Sequence, residues 1–467
     1  MTPRTPPLSV RSRPVFASVI ATSVLGTLAA LSGVAQAQSV PADDALTMHG
    51  VTLYGIVDIG LQCDTHGAPF NDYFPAGSND IVQKDSNHSI CGATPSNLSQ
   101  SRIGLQGKEP LAGDWSAVFR LETFFNPTTG NISDALKSLV QNNGRGVAEQ
   151  GVNLDSSVAG QAFQQSYAGV SSPTFGTLTF GRQNTLLADA IAKYDPNGAS
   201  QAFALIGLSG TTAGAGDTQD RRLDSSLKYS LSSNGLHAGA MYKFNNSSGS
   251  ANSAVQLQIG GEFAGFSVDG YYVRVKDAVA AAALSAAQLA SLPAEFSPSN
   301  SLAATVSDNT AFTIAGSYNL GVATLFAAYE HIRFANPDTP LAAGFDDIGG
   351  YKLAFVNNTA FPNDKILQVF WAGVKYSPMP NFDLQAAYYG YKQNSFAAGA
   401  NAGCSDDRNG GCSGTENSVG VSAVYKATKR FDLYGGFMWT QVNDGLANGF
   451  IFARSNIDPT IGVRFKF

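Results

Sequence analysis

From Val51 the chain alternates. Val51, Leu53, Val57, Ile59 and Leu61 fall on one side, and Thr52, Tyr54, Asp58 and Gln62 on the other, which is the period-two pattern of a strand with one apolar face. The next such segment, 102–109, sets Ile103 and Leu105 against Arg102, Gln106 and Lys108. After a tight turn at 110–114, Trp115, Ala117, Phe119 and Leu121 alternate with Ser116, Arg120 and Glu122. Charged residues opposite an aromatic face fit strands with lipid on one side and water on the other.

The rhythm predicts sixteen strands, at 51–61, 102–109, 115–125, 161–170, 176–182, 222–231, 236–244, 254–263, 266–276, 310–319, 322–334, 366–377, 382–393, 417–427, 431–442 and 457–467. Their connections alternate in length. Seven short turns, such as 171–175 and 264–265, separate eight long polar loops, near 62–101, 126–160, 183–221, 245–253, 277–309, 335–365, 394–416 and 443–456. An even-stranded antiparallel barrel with both termini on one side requires this arithmetic, and short periplasmic turns with long extracellular loops are the outer-membrane pattern. The fold expected is all-β, a 16-stranded antiparallel transmembrane β-barrel. The third long loop, rich in Gly, Ala, Asp and Thr, is too long to be a plain connection, and we expect it to fold into the lumen and narrow it.

The first thirty-seven residues read differently. Arg4, Arg11 and Arg13 precede an apolar core at 15–31, and Ala35-Gln36-Ala37 supplies small cleavage-site residues, so 1–37 is expected to be a secretory signal peptide and 38–467 the barrel domain. Removing it leaves 26 basic against 35 acidic residues, a net of −9 in place of −6. That balance argues against a nucleic-acid partner. Beyond the leader no run of eighteen apolar residues occurs, which excludes a helical membrane protein.

An exported chain meets an oxidising compartment. The proximity of Cys404 to Cys412, and the way Cys63 and Cys91 bracket one polar loop, favour two local disulfides over crossed pairs. The spacing fits no zinc pattern, and no metal or cofactor is expected. His49, His66, His88, His237 and His331 are scattered in no catalytic or metal-binding spacing. Residues 278–292 are Ala-rich and end at Pro293, which predicts a short helix on the fifth loop. Parity turns Trp371 inward beside Lys375, whereas Tyr425, Phe431, Phe437 and Trp439 suit interfacial aromatic belts.

Leu53-Tyr54-Gly55, the run Ser101-Arg102-Ile103-Gly104-Leu105-Gln106-Gly107, the run from Phe175 through Gly181-Arg182-Gln183, Arg222-Leu223-Asp224-Ser225-Ser226-Leu227-Lys228-Tyr229 and the terminal Phe467 occur in the order found in general bacterial porins. Over essentially the whole mature chain the sequence resembles the Gram-negative porins of the β-proteobacterial type. The resemblance implies a homotrimer in the bacterial outer membrane, in contact with lipid and lipopolysaccharide. It also implies a third loop folded inside as a constriction, and passive diffusion of small hydrophilic solutes and ions. Arg102, Arg182 and Arg222 match the family's wall arginines; Arg120 and Lys228 join them by inward parity. The opposing carboxylates are expected on the third loop, from among Asp189, Asp195, Asp217 and Asp220, although the Pro-Glu-Phe-Gly-Gly run of enterobacterial porins is absent. Arg182 shares parity with Leu178 and Phe180, so either those face the lumen or a bulge intervenes. The second loop is expected to reach over a neighbouring subunit.

Three other readings compete. A substrate-selective channel of eighteen strands needs two more strands and a lumenal spiral of aromatics. An outer-membrane enzyme needs ten or twelve strands and a grouped Ser/His/Asp set near one rim, so catalytic residues are not expected. A surface adhesin would rest on the long loops alone. Wall arginines at the narrowest point focus their field between low-dielectric walls, which leans selectivity toward anions.

Overall fold

The computed structural model describes residues 46–73, 86, 88–146, 149–150, 162–207, 221–244, 253–344, 349–399, 402, 410–448 and 452–467. The expected leader at 1–37, Cys404, Asp217 and Asp220 lie outside them. In chain order the elements are β1 (Leu46–Met48), β2 (Val51–Asp64), β3 (Ile90–Pro95), β4 (Arg102–Pro110), β5 (Ser116–Phe124), α1 (Ala135–Gln141), β6 (Gln165–Ser172), β7 (Gly176–Asn184) and α2 (Leu186–Ile191). There follow β8 (Arg222–Ser233), β9 (Leu236–Lys243), β10 (Ala254–Phe263), β11 (Phe266–Ala282), α3 (Ala286–Ala290), β12 (Ser301–Asn319), β13 (Ala323–Ala335) and β14 (Lys352–Asn357). The last are β15 (Lys365–Met379), β16 (Phe382–Gln393), β17 (Gly414–Lys426), β18 (Phe431–Asp444), β19 (Ser455–Ile457) and β20 (Thr460–Lys466).

All twenty strands belong to one sheet. Sixteen form the wall, namely β2, β4 to β13, β15 to β18 and β20, each antiparallel to its neighbour. β20 pairs back onto β2, from Ile56 opposite Lys466 to Gln62 opposite Thr460. Closure leaves the wall no unpaired edge, which a bilayer requires, and sixteen strands enclose an aqueous channel rather than a filled core. The outer face is apolar and open, with Ile259 75% and Phe312 65% exposed. A soluble domain would not leave so continuous an apolar belt uncovered. The inner face of the same strands carries Gln256, Asp269, Thr313 and Glu330, all buried.

Of the remaining four, β19 pairs with β18 just ahead of β20, and three short strands that pair with the ends of wall strands escaped the alternation pattern. β1 forms a short hairpin with β2. β3 pairs with the upper half of β2, and there Cys63 stands opposite Cys91 and is bonded to it. This is the expected local disulfide; Cys412 is likewise disulfide-bonded. β14 pairs in parallel with the start of β12. The Ala-rich stretch corrects the helix expected from Ala278: residues 278–282 continue β11 against Ala303–Ser307 of β12, and the helix is only α3. Its start is fixed by Ser285, whose side chain accepts from Gln288 N while Gln288 caps the Ser285 amide, a capping box that places the N-terminus here and not seven residues earlier.

The described part of the second loop docks on its own chain. Leu136 and Leu139 of α1 pack with Ala281, Leu302 and Leu353, Tyr351 Oη donates to Asp134 Oδ2 (3.0 Å), and Asn143 Nδ2 donates to the carbonyls of Pro298 (3.0 Å) and Ser301 (2.9 Å). The loop leaves the third wall strand and is fastened to the ninth and tenth, so it straps across the long-loop mouth.

Closing a segment of 28 residues, the Cys63–Cys91 bond constrains the undocked loop by about 3–4 kcal/mol of chain entropy. Replacing both cysteines by serine should therefore speed proteolytic cleavage between residues 64 and 90 while the barrel band on unheated gels is unchanged. Equal cleavage rates would remove the bond's role in ordering this loop.

Candidate functional site

The inner faces of β2, β4, β5, β6 and β8 converge on one carboxylate. Glu122 is fully buried, and it accepts from Tyr54 Oη (3.0 Å), Arg120 Nη2 (3.3 Å) and Gln165 Nε2 (2.9 Å). Arg102 Nη1 lies 3.8 Å away. Arg120 Nε donates to Tyr54 Oη (2.6 Å), and its guanidinium stacks 4.9 Å from the Tyr54 ring. Arg102 and Arg222 flank the Phe124 ring at 6.0 and 4.7 Å. Cross-strand register places these groups: Arg102 stands opposite Phe124, and Gln106 opposite Arg120. Three guanidinium groups thus surround one carboxylate. Arg222 is 6% exposed, and its Nε and Nη1 have no hydrogen-bond partner.

A bulge does intervene near Arg182. The β7–β8 register shifts between Gly181 and Gln183, with two residues of β8 opposite Arg182; Phe180 is exposed outside, and Arg182 binds Asp224 at 2.5 Å. Gly181 has φ +132°, and a Cβ there would sit 2.3 Å from the Ser166 carbonyl oxygen; only glycine fits. Further along β8, Lys228 forms an ion pair with Asp189 of α2 and donates to the Asn184 carbonyl (3.0 Å). Asn184 Nδ2 donates to Asp189 as well (2.8 Å). Of the four expected loop carboxylates, Asp189 is the one the described residues bring to a wall cation.

Asp195 corrects the expectation that it faces the arginines. It lies on the opposite side of the lumen, buried, accepting from Tyr389 Oη (2.6 Å) and Ala199 N (2.7 Å). Burial without a cationic partner pushes its carboxyl up to about 7, against the hydrogen bonds from Tyr389 and the loop amides. Its role is anchorage. The third loop follows the inner wall: Leu186 N donates to Gln256 Oε1 (3.0 Å), Tyr194 Oη to Asp269, Trp371 Nε1 to the Tyr194 carbonyl (2.8 Å), and Ser422 Oγ to Asn197 Oδ1 (2.8 Å). Trp371 is fully buried under it, as its parity predicted. At the far end Phe203 stacks edge-on to Tyr434 at 6.3 Å. The Phe203 carbonyl comes so near β17 that a Cβ at Gly420 would meet it at 1.9 Å.

The loop therefore covers β9 to β11 and β15 to β18, and the basic patch sits on β2 to β8. Two members of this patch were absent from the sequence-derived set. Glu122 shares the inward parity of Arg120 and was legible on that ground. Asp224 was hidden because the bulge inverts the parity around it.

A family model described as "Gram-negative porin" matches residues 21–445. An outer membrane porin protein of Bordetella pertussis is 30% identical over 220 residues, and the match spans 46% of this chain and about half, 46%, of that relative. Among solved structures, the anion-selective porin from Comamonas acidovorans superposes with a TM-score of 0.58 at 18% identity, covering 89% of this chain and 99% of its own. OmpT of Vibrio cholerae gives 0.54 at 14% identity, covering 91% and 100%. These likenesses in shape agree with the closed sixteen-stranded wall, and the match by family model spans most of the sequence: the chain belongs to the Gram-negative porin family of outer-membrane β-barrels.

Proposed function

We propose that the protein is a passive diffusion channel for small hydrophilic solutes and ions across the bacterial outer membrane. Its constriction lies between the basic patch of Arg102, Arg120, Arg182, Arg222 and Lys228 and the inserted third loop, and it prefers anions. The observation that carries the preference is the imbalance at the patch. Five cations stand against Glu122, Asp189 and Asp224 among the described residues. Always charged and weakly hydrated, guanidinium groups polarise the water path and attract anions without holding them covalently. Family membership and fold point to a channel rather than an enzyme. Assembly as a homotrimer is part of the same reading, supported by the solved trimer form of Vibrio cholerae OmpT, and the leader at 1–37 is the export signal.

A unit charge about 8 Å from the ion path is worth ~0.5 kcal/mol in water, a factor of about two for an ion of either sign. Arg102→Ala and Arg182→Ala should each lower the anion-to-cation permeability ratio about fourfold, read as the reversal potential in a salt gradient. Wild-type steps should arrive in threes and reverse on the anion side. Absence of conductance would sink the channel; a reversal potential indifferent to both variants would remove the arginines from the constriction.

A further inference from the structure

At the short-turn end of the barrel, cations gather on one side of the lumen. Lys375 of β15, Lys426 of β17 and Arg464 and Lys466 of β20 share the inward parity, since Leu384, Leu433 and Phe465 on the alternate positions are exposed outside. Asp383 of β16 takes Lys375 Nζ at 3.1 Å and Lys426 Nζ at 2.9 Å. Asp432 of β18 takes Arg464 Nη2 at 2.6 Å and Lys466 Nζ at 2.9 Å. Both carboxylates are buried, whereas the side chains of Lys375 and Lys426 remain 21% and 34% exposed. Lys466 is 16% exposed and Arg464 only 9%, so the lumen meets the three lysines and not the carboxylates that pair with them.

A third carboxylate, Asp58, stands beside Arg464 and is occupied by the amides of Asn97, Leu98 and Ser99 and by Tyr434 Oη. Lys429 and Arg430 on the adjoining turn raise the side-chain count, among the described residues, to six cations against three carboxylates. The wall across the lumen at this end has the other sign in excess. There Glu262 and Asp269 meet Lys193, with His237 Nδ1 3.2 Å from Asp269. The mouth is polarised from one side to the other.

We propose that this collar is a second anion-binding subsite, at the periplasmic exit and separate from the constriction, which takes small multiply charged oxyanions of the phosphate or polycarboxylate class. The inference rests on the reading of the barrel as a channel. Ammonium groups on alternate wall strands, drawn together by a shared carboxylate on the strand between them, can reach different oxygens of one such ion, whereas a monovalent ion engages them one at a time. Multivalent anions are drawn onward from the constriction and retained briefly at the exit, a multi-site passage in which each hold is weak enough to release.

Calorimetric titration of the detergent-solubilised protein with inorganic pyrophosphate reads the subsite without any current. The double variant Lys426→Gln/Lys466→Gln should weaken binding about tenfold or more, by loss of two charge-assisted contacts. Arg333→Gln, which removes an outward-facing cation at the other end, should leave it unchanged. In bilayers, pyrophosphate on the short-turn side should reduce the wild-type current at lower concentration than that of the double variant. Equal affinity in wild type and double variant, or no binding to wild type, would overturn the subsite. A protein that binds pyrophosphate as described but passes no current would instead overturn the channel reading.

Discussion

Glu122→Gln should make the channel more anion-selective, by about fourfold in the permeability ratio, opposite in sign to the arginine variants. The glutamine keeps the volume and can still accept from Tyr54 and donate or accept at Gln165, but the single negative charge among Arg102, Arg120 and Arg222 is gone. A factor of about two for an anion and about two in the other direction for a cation multiply in the ratio. Removing one partner of a buried ion pair costs about 3–5 kcal/mol, so the thermal transition of the barrel should fall as well. A reversal potential that stays put, or moves toward cations, would mean that Glu122 neutralises its arginines from outside the field felt by permeant ions.

The second large effect is expected at Trp371. Truncating a fully buried tryptophan costs about 3–5 kcal/mol, and here much of it falls on the docking of the third loop, because Trp371 Nε1 holds the Tyr194 carbonyl. Trp371→Ala should shift the balance between docked and loose loop by two to three orders of magnitude, on the order of that free energy, and turn a quiet open current into one with frequent brief closures. Asp195 adds a pH dependence. Its carboxyl titrates at about 7 when docked and near 4 when the loop is free in water. The docked state therefore binds the proton more tightly; this stabilisation is complete below about pH 4 and is lost as pH rises through about 7. Closures should become more frequent above neutrality, and Asp195→Asn should flatten the dependence. A noise spectrum of Trp371→Ala identical to wild type, or closures that grow on acidification, would contradict this account of the anchor.

The wall was legible because lipid outside and water inside force one rule on every spanning strand. β10 and β16 begin and end where the alternation said. Legibility stopped where that rule stops. β3 and β14 are six-residue strands that pair with the ends of β2 and β12, too short to show the alternation, and Ala278–Ala282 has no strand signature of its own until β12 is beside it. In the candidate site, parity found Arg120 and Lys228, but the bulge at Gly181 broke the count just where Asp224 meets Arg182. Asp195 was misplaced for another reason. Composition marks the loop as an insert, but which of its carboxylates turns to the arginines and which to Tyr389 depends on contacts 194 residues apart in sequence.

The strap of the second loop sets an order of events in folding. Asp134 and Tyr351, which it joins, are separated by 217 residues, and Leu136 and Leu139 have no apolar seat until β11, β12 and the parallel β14 are assembled. Contacts of such sequence separation form late, because the loop between them must close before the contact stabilises anything. The strap can therefore be drawn across the mouth only once the ninth and tenth wall strands and β14 are in place, and the third loop, whose own anchors lie as far apart in sequence, docks at the same late stage.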